Sequence, residues 1–283
     1  MSIVSMADPV GKAFREGYAV PAFCAWNAEV IRVILHTAAR LRAPVILMHA
    51  QPDFTLLPPA MMAEVTRVVA KRFDVPAVLH LDHGDTPELA RECIAAGYTS
   101  VMLDYSARPF AENADALREV AAVAHPLGIS VEGEIGHVGK ADESAAEGGA
   151  VSALTDPRDA AEYVQRSNVD LLAVSIGNKH GFYRGEPHIE FGLLAELHAA
   201  VKVPLVMHGG TGIPEKDIRR SVQLGISKVN VASELVHAFR SSFNAQWEGG
   251  GNPWVPFALG VAVAGLEKIV EKWIRITGAE GKA

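Results

Sequence analysis

Residues 77–104 read AVLHLDHGDTPELARECIAAGYTSVMLD, and this stretch decides the fold. It opens on a short apolar run, 77–82, and closes on another, 100–104; the runs recurring along the chain are of strand length and bounded by Gly, Pro, Asp or Asn. Between them Asp85-Thr86-Pro87-Glu88 supplies a cap followed by proline at the first helical position, and Gly97 supplies the stop. Strand, helix, strand in so few residues is a βαβ unit, whose two strands lie parallel.

The same grammar extends in both directions. Strand-like runs recur at 18–23 (YAVPAF), 44–49 (PVILMH), 129–135 (ISVEGEI), 170–176 (DLLAVSI), 203–208 (VPLVMH) and 227–232 (SKVNVA). Apolar residues at helical spacing fill 28–41, 59–72, 86–96, 109–125, 156–166, 190–200, 214–224 and 232–245. Eight strands alternating with eight helices predict a parallel sheet covered by helices, and eight units favour closure into a (β/α)8 TIM barrel over an open sheet. A barrel of this kind accommodates 283 residues as a single domain, 1–283, with residues 254–277 (WVPFALGVAVAGLEKIVEKWIRIT) as an extra apolar helix packed on a neighbouring helix or a second subunit. Residues 136–154, rich in Gly, Ala and acids, read as a long mobile loop after the fifth strand.

Composition narrows the classes of function. The net charge of −7 comes without a Lys/Arg run, which argues against nucleic acid as a partner. Two cysteines, Cys24 and Cys93, are too few for a disulfide framework and predict free thiols. The opening MSIVSMADPVGK lacks a signal-peptide pattern and no apolar run is of membrane-spanning length, so the expectation is a cytoplasmic protein without a membrane partner.

In barrels of this type chemistry sits at the C-terminal ends of the strands. There the sequence places His83, His180 and His208, three imidazoles that match the donor set of a catalytic zinc with one coordination position open. Asp82 precedes one of them, where a carboxylate acts as general acid/base or instead orients a histidine. Asp104, Glu132 and Glu134 add carboxylates to the same mouth: they either hold a second metal position or bond neighbouring strands and interior lysines. Gly209-Gly210-Thr211-Gly212 and Asn230-Val231-Ala232-Ser233 follow the seventh and eighth strands, where barrels build phosphate sites from backbone N–H groups. A phosphorylated small molecule is therefore the expected substrate.

Taken in order, YAVPAF at 18–23, HLDHG at 80–84, SVMLDYS at 100–106, PFAEN at 109–113, EGEIG at 132–136, HGFYRGEP at 180–187, HGGTG at 208–212 and KVNVASEL at 228–235 resemble the class II, metal-dependent ketose-bisphosphate aldolases, in particular the tagatose- and fructose-bisphosphate enzymes. The resemblance spans nearly the whole chain. It implies reversible aldol cleavage of a ketose bisphosphate, such as fructose or tagatose 1,6-bisphosphate, to dihydroxyacetone phosphate and an aldehyde. It further implies Zn2+ on His83, His180 and His208, with another divalent metal or an added monovalent cation also admitted. Asp82 would move the C4 hydroxyl proton, Gly181 together with residues 209–211 and 230–233 would bind dihydroxyacetone phosphate, and Asp104 with Glu134 would mark a second metal position. An acid on the loop after strand five, Asp142 or Glu143, would exchange the C3 proton. The chain departs from its relatives at that loop, Gly139-Lys140-Ala141-Asp142-Glu143, at Cys24 in place of Asn, and at His49-Ala50-Gln51-Pro52, whereas Ala232 follows the tagatose-type pattern. The competing readings are a catalytically silent sugar-phosphate-binding barrel or accessory subunit, and a zinc hydrolase. A homo-oligomer, dimer or tetramer, is expected.

Overall fold

The structure, a computed structural model, describes residues 3–139 and 153–283. Eight parallel strands close into a barrel in sequence order: β1 Val20–Cys24, β2 Val45–Ala50, β3 Ala77–Gly84, β4 Ser100–Leu103, β5 Ser130–Ile135, β6 Leu171–Val174, β7 Leu205–Met207 and β8 Ile226–Val231. Closure is made by β1 against β8, with Val20 opposite Lys228 and Ala22 opposite Asn230. Outside lie α1 Ala7–Glu16, α2 Ala28–Arg40, α3 Pro59–Ala70, α4 Pro87–Ala95, α5 Phe110–Ala124, α6 Pro157–Ser167, α7 Phe191–Ala200, α8 Glu215–Gln223, α9 Ser233–Ala245, α10 Val255–Ala264 and α11 Leu266–Ile276. Among the described residues no helix is long and apolar enough to cross a membrane.

Local chemistry sets the element ends. The Thr86 hydroxyl accepts from Leu89 N at 3.2 Å with Pro87 next in line, and Gly97 takes the left-handed conformation just past α4. Asn27 and Asp156 cap α2 and α6 in the same way. The strands are buried almost end to end because one face meets the barrel interior and the other meets helices.

Two features differ from expectation. Residues 7–16 form α1, which carries buried Val10 and Ala13, and just before it the Met6 sulfur reaches the Ser100 hydroxyl at 3.5 Å at the N-terminal end of the barrel. Pro9 and Gly11 fall inside this helix and blur its periodicity in the sequence. The segment 254–277 is two helices, not one, divided at Gly265. Of the pair, α11 buries Leu266, Val270, Trp273 and Ile274, while α10 leaves Trp254 (72% exposed), Val255 and Phe257 (74% exposed) on the surface. The two ends of the loop after β5 are tied together by His137 N to Ala153 O at 3.0 Å and by the Thr155 hydroxyl to Ile135 O at 2.7 Å.

Candidate active site

A β-bulge shapes the mouth of the barrel. Between the pairs Leu81–Val101 and Gly84–Leu103, β3 advances three residues while β4 advances two, and His83 at the extra position has φ of 46°. A left-handed histidine is uncommon and costs conformational energy, so the surrounding structure must hold it there. The bulge turns His83 toward the mouth beside Asp82, although strict alternation would put the two on opposite faces.

His83, His180 and His208 each bring a ring nitrogen to within 4.8 Å of the others. His208 directly follows β7, and His180 lies in the turn after β6. The remaining ring nitrogens are already taken. His83 Nδ1 lies 2.7 Å from Asp104 Oδ2, His208 Nε2 lies 2.9 Å from Glu132 Oε1, and His180 Nδ1 lies 3.2 Å from Val138 O. Each outer nitrogen meets an acceptor and so carries a proton, which leaves Nε2 of His180 and Nδ1 of His208 as lone-pair donors and turns Nε2 of His83 inward, where a bound cation would replace its proton. His83 Nε2 and His208 Nδ1 approach to 2.9 Å. Three convergent imidazole donors, each oriented by a second group, fit a divalent ion of zinc type.

The electrostatics favour the same occupant. Burial, and then the neighbouring His83, lowers His180 to about 4, and burial drives His208 well below the ordinary histidine range, so both are neutral and ready to coordinate. For His83 burial acts downward but is outweighed by Asp82, Asp104 and Glu134, which raise it to about 10. That negative field attracts any cation placed among the three rings. Glu134 is pushed up to about 8 by burial and by Asp104. Asp104 moves the other way: burial is overcome by its hydrogen bonds to His83 and Ser106.

Asp82 is held by Asn230, whose Nδ2 donates to Oδ1 at 2.9 Å, and its second oxygen has no hydrogen bond among the described residues. Asp104 and Glu134 also gather around His83 as a second group of metal-ligating type. In this arrangement Asp104 is engaged with His83 and Ser106, and Glu134 accepts from Val138 N at 3.1 Å. Glu132 lies deeper and bonds an interior lysine: Lys228 Nζ is 2.8 Å from its Oε2, and both side chains are fully buried.

The glycine-rich turns lie beside each other over β7 and β8. Gly209 has φ of 64°, and a Cβ there would sit 2.1 Å from Lys179 O, so only glycine permits this approach of the turn after β7 to the turn after β6. Gly210 N donates to Asn230 O at 3.2 Å, and the Thr211 hydroxyl accepts from Glu234 N at 3.3 Å. Ala232 and Ser233, at the start of α9, line a cavity of about 310 Å3 with Phe182, Val236, His237 and Arg240. Val231 is buried in β8, and Gly181 joins His180 to Phe182. Asp142 and Glu143 lie outside the described residues.

Two groups escaped the sequence reading. Asn178, buried, donates to His208 O at 2.9 Å and accepts from Ile176 N at 2.8 Å, which fixes the backbone carrying His208. Lys228 was signalled only by its place: a lysine on the inward face of an apolar strand needs a buried carboxylate, and Glu132 is that carboxylate.

By fold and by the side chains at its mouth the protein is a (β/α)8 barrel enzyme. The family model described as class-II fructose-bisphosphate aldolase matches residues 4–282. Over 284 residues the chain is 37% identical to the D-tagatose-1,6-bisphosphate aldolase subunit GatY of Klebsiella oxytoca, with 100% of each covered. The YdjI aldolase of Escherichia coli K12 superposes with a TM-score of 0.88 at 31% identity, over 99% of each chain. The fructose-bisphosphate aldolase of Campylobacter jejuni shares the fold, with a TM-score of 0.83 at 22% identity over 100% of this chain and 97% of that one. The chain belongs to the class II fructose-bisphosphate aldolase family and is a lyase of the aldolase type.

Proposed function

We propose that this enzyme cleaves a ketose bisphosphate between C3 and C4, reversibly, to give dihydroxyacetone phosphate and an aldehyde, with zinc on His83, His180 and His208. The observation that carries the reading is the convergence of three histidines, each with its outer nitrogen bonded, on one side of Asp82. A bound divalent ion supplies Lewis-acid stabilisation of the negative charge that develops on the ketose oxygens, worth several kcal/mol, so no imine-forming lysine is needed. Asp82 takes the C4 hydroxyl proton in cleavage and returns it in condensation. Asn230 holds one oxygen of Asp82 and so aims the other. Backbone N–H groups within residues 209–211 and 230–233, other than Gly210 N, which is bonded to Asn230 O, bind the donor phosphate together with the N-terminus of α9. Gly181, adjacent to His180 and with φ of 90°, is proposed as part of the same donor site. Asp104 and Glu134 are proposed as an alternative resting place for the ion.

The whole chain is proposed to act as one domain in the cytoplasm, where Cys24 and Cys93 stay reduced. The bare face of α10, with Trp254 and Phe257, supports a homodimer or homotetramer. Metal analysis combined with a coupled dihydroxyacetone-phosphate release assay tests the reading. Wild type should carry stoichiometric zinc and release the triose phosphate, and His208→Ala should lose both; full activity in metal-stripped enzyme would overturn it.

A further inference from the structure

After β2 the chain makes a tight helical turn, Gln51–Thr55, in which Asp53 folds back on the strand it follows. Asp53 Oδ2 accepts from Ala50 N at 2.9 Å, so its carboxylate is held at the level of the last residue of β2. Ala50 pairs in register with Asp82 on β3, and Met48 pairs with Cys24 on β1. Asp53 therefore stands one strand over from the proposed base and at the same rank in the mouth. The three side chains share one field. Burial first, then Asp53 and Asp82, drive the Cys24 thiol far above its ordinary range. Asp53 itself is raised by burial and by Asp82, against the pull of its bond to Ala50 N.

Closing the turn occupies one oxygen of Asp53. The other, Oδ1, has no hydrogen bond or ion pair among the described residues, and the side chain is half-buried rather than turned out to solvent. It lines a recess of about 450 Å3 with Cys24, Trp26, Phe239 and Phe243. Trp26 meets Phe239 edge to face with ring centres 5.5 Å apart, and a thiol bonds hydrogen weakly, so this wall offers little to a hydroxyl. Arg240 and Asn244 border the recess from α9, and Asp53 is the one carboxylate among its described lining residues. A half-buried carboxylate oxygen without a partner calls for a donor from the ligand. Given the reading that Asp82 serves O4, the next hydroxyl along the ketose is O5, which belongs to the acceptor aldehyde at the carbon beside its carbonyl. Two carboxylates of equal rank on strands about 4.8 Å apart suit two vicinal hydroxyls. We propose that Asp53 is a specificity-determining residue for the acceptor half: its free oxygen accepts a hydrogen bond from the hydroxyl next to the aldehyde, and its charge turns away acceptors with a carboxylate in that place. The inference rests on the aldolase reading above and names the group that reads the acceptor beside the reacting carbon.

The test is condensation of dihydroxyacetone phosphate with three two-carbon acceptors that differ in one place: glycolaldehyde carries the hydroxyl, acetaldehyde lacks it, and glyoxylate has a carboxylate there. These aldehydes differ in intrinsic reactivity, so the readout is the change, on substitution, in the ratio of their kcat/KM values. For Asp53→Ala the ratio of glycolaldehyde to acetaldehyde should fall roughly tenfold to a hundredfold, the worth of a hydrogen bond to a charged group. Asp53→Asn keeps an acceptor for Ala50 N, and so the turn, while its neutral amide still reaches the hydroxyl; the ratio should fall by a smaller factor. In both variants glyoxylate should gain on acetaldehyde. That gain separates contact with the acceptor from damage to the turn, which would lower all three acceptors alike. An unchanged ratio of glycolaldehyde to acetaldehyde in Asp53→Ala, or equal losses on all three, would overturn the inference. Solvent exchange of the C3 proton of dihydroxyacetone phosphate by wild type needs only the donor half. Exchange with unchanged acceptor ratios refutes the role of Asp53 alone, whereas absence of exchange removes the aldolase reading and this inference with it.

Discussion

Replacing Lys228 by methionine removes one charge from the centre of the barrel and almost nothing else, since the two side chains are similar in length. Lys228 Nζ lies 2.8 Å from Glu132 Oε2 and 3.1 Å from Oε1, and neither residue touches solvent. In the variant, Glu132 retains His208 Nε2 at 2.9 Å as its remaining donor, with His80 Nε2 more distant at 3.6 Å. An unpaired buried carboxylate is the costly outcome, and breaking such a pair by removing one partner destabilises by about 3–5 kcal/mol. Against a total stability of about 5–15 kcal/mol that is a large fraction. The denaturant midpoint of Lys228→Met should therefore drop while the slope of the transition stays constant. The double variant Lys228→Met, Glu132→Leu removes both charges and should regain most of the loss, because apolar replacement of a buried pair is often neutral or better. That double variant nevertheless strips His208 Nε2 of its acceptor, so its zinc affinity, read by chelator competition, should stay about 10–100-fold below wild type. A single variant that loses less than about 1 kcal/mol, or a double variant less stable than the single, would refute the reasoning.

Asp82→Asn should lower kcat by roughly 10²–10⁴-fold, as expected for loss of a general base, while elemental analysis still finds a full complement of zinc. Gly209→Ala forces a side chain to φ of 64° against the Lys179 carbonyl; it should cost on the order of 1–3 kcal/mol in denaturant unfolding and raise KM for dihydroxyacetone phosphate. Thr86→Ala deletes the cap of α4 and should cost about 1 kcal/mol without changing kcat. Phe257→Glu puts charge on the bare face of α10 and should shift the protein to a smaller species in light scattering; an unchanged mass would move the subunit contact elsewhere.

Much of the architecture is written locally. Residues 77–104 carry a cap, a proline and a stop glycine that the structure uses as read, and the period change from strand to helix places all eight strands. The three histidines were legible because barrel topology sends every strand end to one mouth, so residues far apart in sequence need only share that rank. What stayed hidden depends on tertiary company. The helix at 7–16 is written over by Pro9 and Gly11, and its existence rests on burying Val10 and Ala13 against the barrel. The partition of 254–277 at Gly265 is set by packing of α11, since the residues of α10 are apolar on every side. The choice for Glu132 between metal and lysine needed Lys228, which lies 96 residues further along the chain and arrives through β8.

The bulge in β3 sets Asp82 and His83 side by side at one mouth. Consecutive Cα atoms are held 3.8 Å apart by the covalent chain. The spacing between the proposed base and one proposed ligand is thus inherited from a single peptide unit, and breathing of the barrel carries both together like two teeth on one gear. Drift in β6 or β7 alters the other two donors yet leaves this pair in step. For anyone transplanting aldol chemistry into a different barrel, the portable component is one kinked dipeptide followed by a glycine, and the remaining ligands are the parts that must be fitted to it.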